Sequence, residues 1–154
     1  MQFPLAAILR SLLIYRAPER RVSLDRLYGQ FVRLGNLVFD IGSHVGDRTA
    51  SFRRLGARVI AIEPQPAFAR TLRLLHGRDP HVEILAQALA ARLGSARLQI
   101  NSRNPTVSTL SPDFIQAAQG APGWEGQHWD REITVEQTPL DALIQRFGRP
   151  DFVK

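Results

Sequence analysis

Residues 37–63 constrain this chain more than any other stretch: they spell a buried strand, a glycine-bounded turn, a short helix and a second buried strand in direct succession. Leu37-Val38-Phe39-Asp40-Ile41 is almost wholly apolar, as a parallel strand covered on both faces requires. Gly42 to Gly46 turns the chain, and 47–55 reads as a helix that Gly56 ends. Arg58-Val59-Ile60-Ala61-Ile62 is the second buried strand. The alternation continues with a helix over 64–76, its apolar face carrying Phe68, Leu72 and Leu75, and a third strand over 82–86. Strands alternating with helices at this spacing imply right-handed βαβ units and an open parallel sheet with helices on both faces, an α/β fold.

Upstream lies a different pattern. The apolar stretch 3–15 is interrupted by Arg10 and is shorter than the roughly 20 residues of a membrane span, so it is expected to be a core-packing or surface helix. After a break at Ala17-Pro18, Ser23 is positioned to cap a helix with Leu24, Leu27, Tyr28, Phe31 and Val32 on one face, stopped by Gly35-Asn36. Residues 1–36 thus form an N-terminal helical cover and 37–154 the sheet-bearing unit.

Downstream, 96–100 reads as a strand after a Gly94-Ser95 turn, and 112–119 as a short helix within a polar, Trp-containing segment. Residues 132–136 alternate like a strand, and Thr138-Pro139-Leu140-Asp141 opens a helix by supplying an N-cap, a first-turn proline and an acid. Residues 151–154 begin another buried strand. A doubly wound sheet has strands on both sides of its switch point, so this sheet is expected to continue beyond Lys154, with 37–154 a partial domain incomplete at the C-terminus.

The turn carries the chemistry. Gly42 allows the chain to leave the strand sharply, through a conformation or a closeness that a Cβ resists, and Gly46 lets the next helix approach the sheet. Asp40 ends the strand at the crevice where such sheets bind ligands. The Gly-x-x-x-Gly spacing differs from the Gly-x-Gly-x-x-Gly that cradles a dinucleotide pyrophosphate. A carboxylate beside the turn suits a ligand bearing ammonium and sulfonium groups better than a pyrophosphate. Glu63, at the end of the second strand, is placed to accept hydrogen bonds from both hydroxyls of a ribose, whichever adenosine cofactor is bound. Ser43 and His44 line the same turn.

These residues resemble a known family. Asp40-Ile41-Gly42-Ser43-His44-Val45-Gly46-Asp47-Arg48-Thr49, then Ile62-Glu63-Pro64, Ser108-Thr109-Leu110, Pro139-Leu140-Asp141 and Asp151-Phe152-Val153-Lys154 look like landmarks of the FkbM methyltransferases. The resemblance implies a class I methyltransferase (Rossmann-like) fold, S-adenosylmethionine as cofactor, and methylation of a hydroxyl on a sugar or secondary metabolite. It also implies that Asp40, Gly42, Ser43, His44, Gly46 and Glu63 bind the cofactor. Where many methyltransferases have an acid near the adenine after the third strand, this chain has Gln87 and Ala88, which would meet the adenine by side chain or backbone.

Composition narrows the partners. The formal charge is +6, carried almost entirely by Arg, with Lys154 the sole lysine. The arginines are scattered, with doublets only at 20–21 and 53–54 and no interleaved stacking aromatics, so no nucleic acid is expected. A small molecule or glycan is the expected acceptor, and association into a homo-oligomer is compatible with an unfinished sheet edge. The absence of Cys fits a reducing compartment, hence a cytoplasmic location, and no His pair has metal-binding spacing. His44, Asp113 and Asp151 are candidates for the base that a hydroxyl acceptor needs, and Trp124 and Trp129 could stack on a sugar or pack the loop. Two other readings stand beside methyl transfer: a nicotinamide-dependent oxidoreductase with a degenerate fingerprint, and a non-catalytic half-domain that binds another chain.

Overall fold

In the computed structural model, which describes residues 5–154, the chain runs α1 (Leu5–Tyr15), α2 (Pro18–Tyr28), β1 (Leu37–Ile41), α3 (Asp47–Arg54), β2 (Arg58–Ile62), α4 (Pro66–His76) and β3 (Val82–Leu85). It continues through β4 (Gln87–Leu89), β5 (Gly94–Ile100), α5 (Pro112–Ala118), β6 (Arg131–Thr138), α6 (Leu140–Phe147) and β7 (Phe152–Val153). The start of the apolar stretch expected from Phe3 lies outside the described residues.

The main sheet has the order β3-β2-β1-β7 and is parallel throughout. Successive strands step from β1 to β3 in one direction, and β7 returns to the other side of β1. Right-handed crossovers then demand opposite faces for the helices of the two steps. The alternation of side chains along the strands matches. Val38, Val59 and Ala61 pack with Phe52 of α3 and with Leu24 and Tyr28 of α2. Phe39, Ile60 and Ile62 pack on the other face with Leu143 of α6. The reversal leaves a crevice above the carboxyl ends of β1 and β7, the place where doubly wound sheets take ligands.

A second sheet, β4-β6-β5, pairs β4 parallel and β5 antiparallel to β6. The sequence reading missed β4, because three residues after β3 carry no period of their own. Gly94 and Ser95, expected as a turn, open β5 instead and pair with Gln137 and Glu136. All of β5 pairs with β6, and that pairing extends the strand expected over 96–100 back through Gly94 and Ser95.

Two helix starts also differ from expectation. α2 begins at Pro18, where proline occupies the first turn without costing a hydrogen bond, and Ser23 sits mid-helix with its hydroxyl donated to the Glu19 carbonyl at 2.9 Å. The helix ends at Tyr28, so Phe31 and Val32 lie beyond it; Val32 is buried and Phe31 is exposed. Thr138 stays in β6, and Pro139 holds the N-cap position of α6.

α1 lies across the top of the sheet, with Ile8 packed beside Val45 and Phe68. Its Leu5, Leu9 and Leu13 face solvent. Among the described residues no helix is long and apolar enough to cross a membrane.

Phe52 is fully buried at the centre of the α2–α3 face and touches the rings of Tyr28 and Phe152. Phe52→Ala is expected to lower unfolding stability by about 3–5 kcal/mol, read from denaturant midpoints. Leu13→Ala, on the exposed side of α1, is expected to change it by no more than about 0.5 kcal/mol.

Candidate functional site

The turn after β1 is fastened to the end of β2 by its own backbone. The amides of Gly42 and Ser43 both donate to the Ile62 carbonyl, at 2.8 and 3.0 Å, and Gly46 N–H closes the turn on Ser43 O at 2.8 Å. Gly42 has φ +67 with nothing within 4 Å of a would-be Cβ, so its requirement is conformational rather than steric. At Gly46, φ is +76 and a Cβ would meet Leu72 at 2.7 Å and His76 at 2.9 Å. The neighbour that demands glycine there is α4, not the sheet that the sequence implied.

His44 is the one non-glycine residue with positive φ among those described, at 53°. Its backbone strain is met by fixation on every side. Its amide donates to Glu63 Oε2 at 2.9 Å, and its ring lies 4.2 Å from Phe68 and edge-on to Tyr15 at 5.3 Å. Burial drives the imidazole pKa down to about 4, so the ring is neutral at physiological pH.

Glu63 is 3% exposed, and each of its oxygens accepts one backbone amide: Oε2 from His44, Oε1 from Gln65 at 2.9 Å. The carboxylate therefore joins the turn to the start of α4. Burial raises its pKa to about 7, against the pull of those two amides and of Lys154. Asp40 is completely buried; Oδ2 accepts the Thr49 hydroxyl at 2.6 Å, while Oδ1 has no hydrogen-bond partner and faces Lys154 Nζ at 3.4 Å. Burial pushes its pKa up too, and the Lys154 ammonium opposes the shift.

Lys154 was missed as a site residue from sequence. It reaches back from β7 to donate to the carbonyls of Ile41 at 2.9 Å and Gly42 at 3.0 Å. Pairing of β7 with β1 is what brings it there, and the only sequence signal was a lone lysine at the end of a buried strand. Arg48, one residue into α3, was missed as well; it donates through Nε to Tyr28 Oη at 3.1 Å.

These groups surround a cavity of about 310 Å³, at the small end of the range for small-molecule sites, roughly 300–1,000 Å³. Gly42, His44 and Glu63 form its floor and Tyr15 of α1 one wall. The far wall is the 3₁₀ turn Pro105–Val107 with Ser108, tied to the rim by Gln65 Nε2 donating to Pro105 O at 3.1 Å. Buried Asn101 organises that wall, taking the amides of Arg103 and Asn104 on Oδ1 and giving Nδ2 to Gln127.

The remaining expected site residues lie elsewhere. Gln87 Nε2 donates to Glu136 within the second sheet at 3.3 Å, and Ala88 is buried in that sheet's core. Neither lines the cavity, and of the residues expected there from β1 and its turn, Gly42 and His44 do, whereas Asp40, Ser43 and Gly46 are buried behind them. Of the candidate bases, Asp151 accepts the Leu37 amide at the opposite end of β1, and exposed Asp113 opens α5. His44 is neutral but, with a pKa near 4, a weak base. Trp129 spends its indole N–H on Val107 O at 3.0 Å, and both Trp124 and Trp129 meet Phe114 edge-on, so they pack the loop.

The raised pKa of Glu63 has a thermodynamic consequence. Between about 4.5 and 7 the folded carboxyl holds a proton that the unfolded chain has released, so stability falls as pH rises across that window. At 1.36 kcal/mol per unit the loss is on the order of 3 kcal/mol. In Glu63→Gln this contribution vanishes: the variant is expected to be less stable than wild type at pH 4.5, for lack of one amide acceptor, with the difference shrinking towards pH 7.5. Denaturant midpoints of both proteins across that range measure it; a gap that stays constant contradicts the shift.

Comparison with known proteins identifies the frame in which these residues sit. No curated protein matches the chain. Among solved structures, partial similarity is found to a candidate RNA methyltransferase from Pyrococcus horikoshii, 25% identical over 46% of this chain and 38% of that one, with a TM-score of 0.39. A precorrin-6y C5,15-methyltransferase from Geobacter metallireducens is 17% identical over 44% of this chain and 37% of its own, TM-score 0.38. YjhP from E. coli is 19% identical over 49% and 34%, TM-score 0.38. The matched part thus spans little more than a third of each of those chains. The Methyltransferase FkbM domain matches residues 40–154, from the buried acid of β1 to the lysine that faces it, and the chain belongs to that methyltransferase family, with a Rossmann-like α/β fold.

Proposed function

We propose that this domain uses S-adenosylmethionine as its methyl donor and transfers the methyl group to a hydroxyl of a sugar or secondary metabolite, with 1–36 as a helical cover and 37–154 as the catalytic unit. One observation carries the choice of donor. Four amides at this turn are withdrawn from any ligand: Gly42, Ser43 and Gly46 spend theirs on carbonyls and His44 spends its own on Glu63. A dinucleotide pyrophosphate needs free amides at this place, as well as positive charge. What the cavity offers instead is oxygen, in the Glu63 carboxyl on its lining, with the Asp40 carboxyl buried in β1 nearby. Acceptors of that kind suit hydroxyl and ammonium donors.

When bound, S-adenosylmethionine supplies an electrophilic methyl on a sulfonium. In this reading Glu63 takes the ribose hydroxyls on its remaining lone pairs, and Asp40 provides negative charge for the ammonium beside Gly42. Gly42 and His44 line the floor, and Ser43 and Gly46 close the turn that presents them. Tyr15, Pro105, Thr106 and Ser108 border the cavity. Methyl transfer is an in-line displacement, so positioning the acceptor oxygen accounts for much of the rate.

Calorimetric titration with S-adenosylhomocysteine and with NAD tests the donor. Heat is expected with the first and none with the second, and Asp40→Asn is expected to weaken S-adenosylhomocysteine by about tenfold or more, the range of a hydrogen bond to a charged group. Binding of NAD alone overturns the reading in favour of an oxidoreductase.

A further inference from the structure

Two cations border the cavity, Arg48 and Lys154, and their hydrogen-bonding states differ. The Lys154 ammonium donates to the carbonyls of Ile41 and Gly42 at 2.9 and 3.0 Å and stands in an ion pair with Asp40 Oδ1 at 3.4 Å, so its charge is already met within the fold. Arg48 carries five N–H groups and commits one, Nε, to Tyr28 Oη. Its Nη1 stands 3.6 Å from Asp47 Oδ1, beyond hydrogen-bond length, and Asp47 is more closely held by Arg20, whose Nε donates to Oδ2 at 2.9 Å.

The location of Arg48 is as informative as its spare donors. Glu63 follows β2, on one side of β1. Arg48 is anchored by Tyr28, whose ring packs on Phe152 of β7 at 5.9 Å, on the other side of β1. Its positive charge is felt at both Asp40 and His44. A ligand lying across the carboxyl end of β1 with its ribose at Glu63 therefore points its opposite end towards Arg48. Asp40 stands between them.

We propose that Arg48 is the carboxylate anchor of the site: its guanidinium grips the carboxylate of the donor's amino-acid tail, while the negative charge of buried Asp40 favours the ammonium of the same tail. The assignment rests on the adenosyl-donor reading given above. A zwitterionic tail meets an acid and an arginine in the order of its own charges. Arginine is suited to this because its planar fork matches a carboxylate with two parallel hydrogen bonds. Tyr28 holds the guanidinium in place through Nε, while Nη1 stays within 3.6 Å of Asp47 and the residue lines the cavity.

The test compares two ligands that differ in the tail. S-adenosylhomocysteine has the α-amino-acid end, and 5′-methylthioadenosine keeps the thioether and nucleoside without it. Calorimetric titrations of wild type, Arg48→Gln and Arg48→Lys with both ligands read the anchor directly. Arg48→Gln is expected to weaken S-adenosylhomocysteine by about tenfold to a hundredfold while leaving 5′-methylthioadenosine within about twofold. Arg48→Lys is expected to fall between, since lysine keeps the charge and loses the fork. Unchanged binding of the thioadenosine is also the control for folding, which Asp47 favours by retaining Arg20 when Arg48 is gone. Unaltered affinity for S-adenosylhomocysteine, or equal weakening of both ligands, overturns the assignment. Should Arg48→Gln lose both ligands altogether, Arg48→Lys decides: tail-selective weakening supports the anchor and parallel loss refutes it. A wild-type chain that binds neither ligand overturns the donor reading, and the anchor with it.

Discussion

The Glu63 carboxylate is the fastening on which the site depends. Its two oxygens accept amides from two successive connections, His44 in the turn after β1 and Gln65 at the start of α4. A buried acid that met no donors would be costly, and a turn amide that met no acceptor would be costly too. Joined, they hold His44 in the left-handed region and keep the turn pressed against the end of β2. The imidazole is then laid on Phe68, and Tyr15 and Ser11 of α1 close over it. The floor, one wall and the attachment of the N-terminal cover thus trace back to one side chain.

That economy determines what the cavity can recognise. With four amides of the turn bonded internally, fewer N–H groups are left for a ligand, and the buried Asp40 carboxyl adds to the proton affinity of Glu63. Lys154 tempers Asp40 from β7 and Arg48 borders the opening from α3. The result is a pocket of alternating charge, in contrast to the uniformly positive pocket that phosphate groups require.

Support for this arrangement comes from two layers. Beneath it, the strands β1 and β2 are buried on both faces, so the carboxyl ends that carry Asp40 and Glu63 cannot shift without disturbing both apolar clusters. Above it, the segment between β5 and β6 is ordered by Asn101, whose side chain substitutes for a ladder in a stretch with little regular structure. Gln65 ties that segment to the rim at Pro105.

The sequence by itself determined the strand–turn–helix–strand unit, because an apolar run bounded by glycines at Gly42, Gly46 and Gly56 has few alternatives, and it put Asp40 and Glu63 at the carboxyl ends of β1 and β2. It also contained the family likeness. It did not determine helix caps to the residue: Ser23 was a plausible cap until Pro18 proved to start the helix five residues earlier, since proline needs no partner there. Nor did it reveal β4 and the first part of β5, whose strand character is imposed by β6. Lys154 and Arg48 acquire their places only when β7 docks beside β1 and Tyr28 turns the guanidinium. The same docking of β4 on β6 aims Gln87 at Glu136. Local pattern encodes which residues are buried and where the chain turns; which charges meet across the crevice is a matter of long-range pairing, and that only the tertiary structure decided.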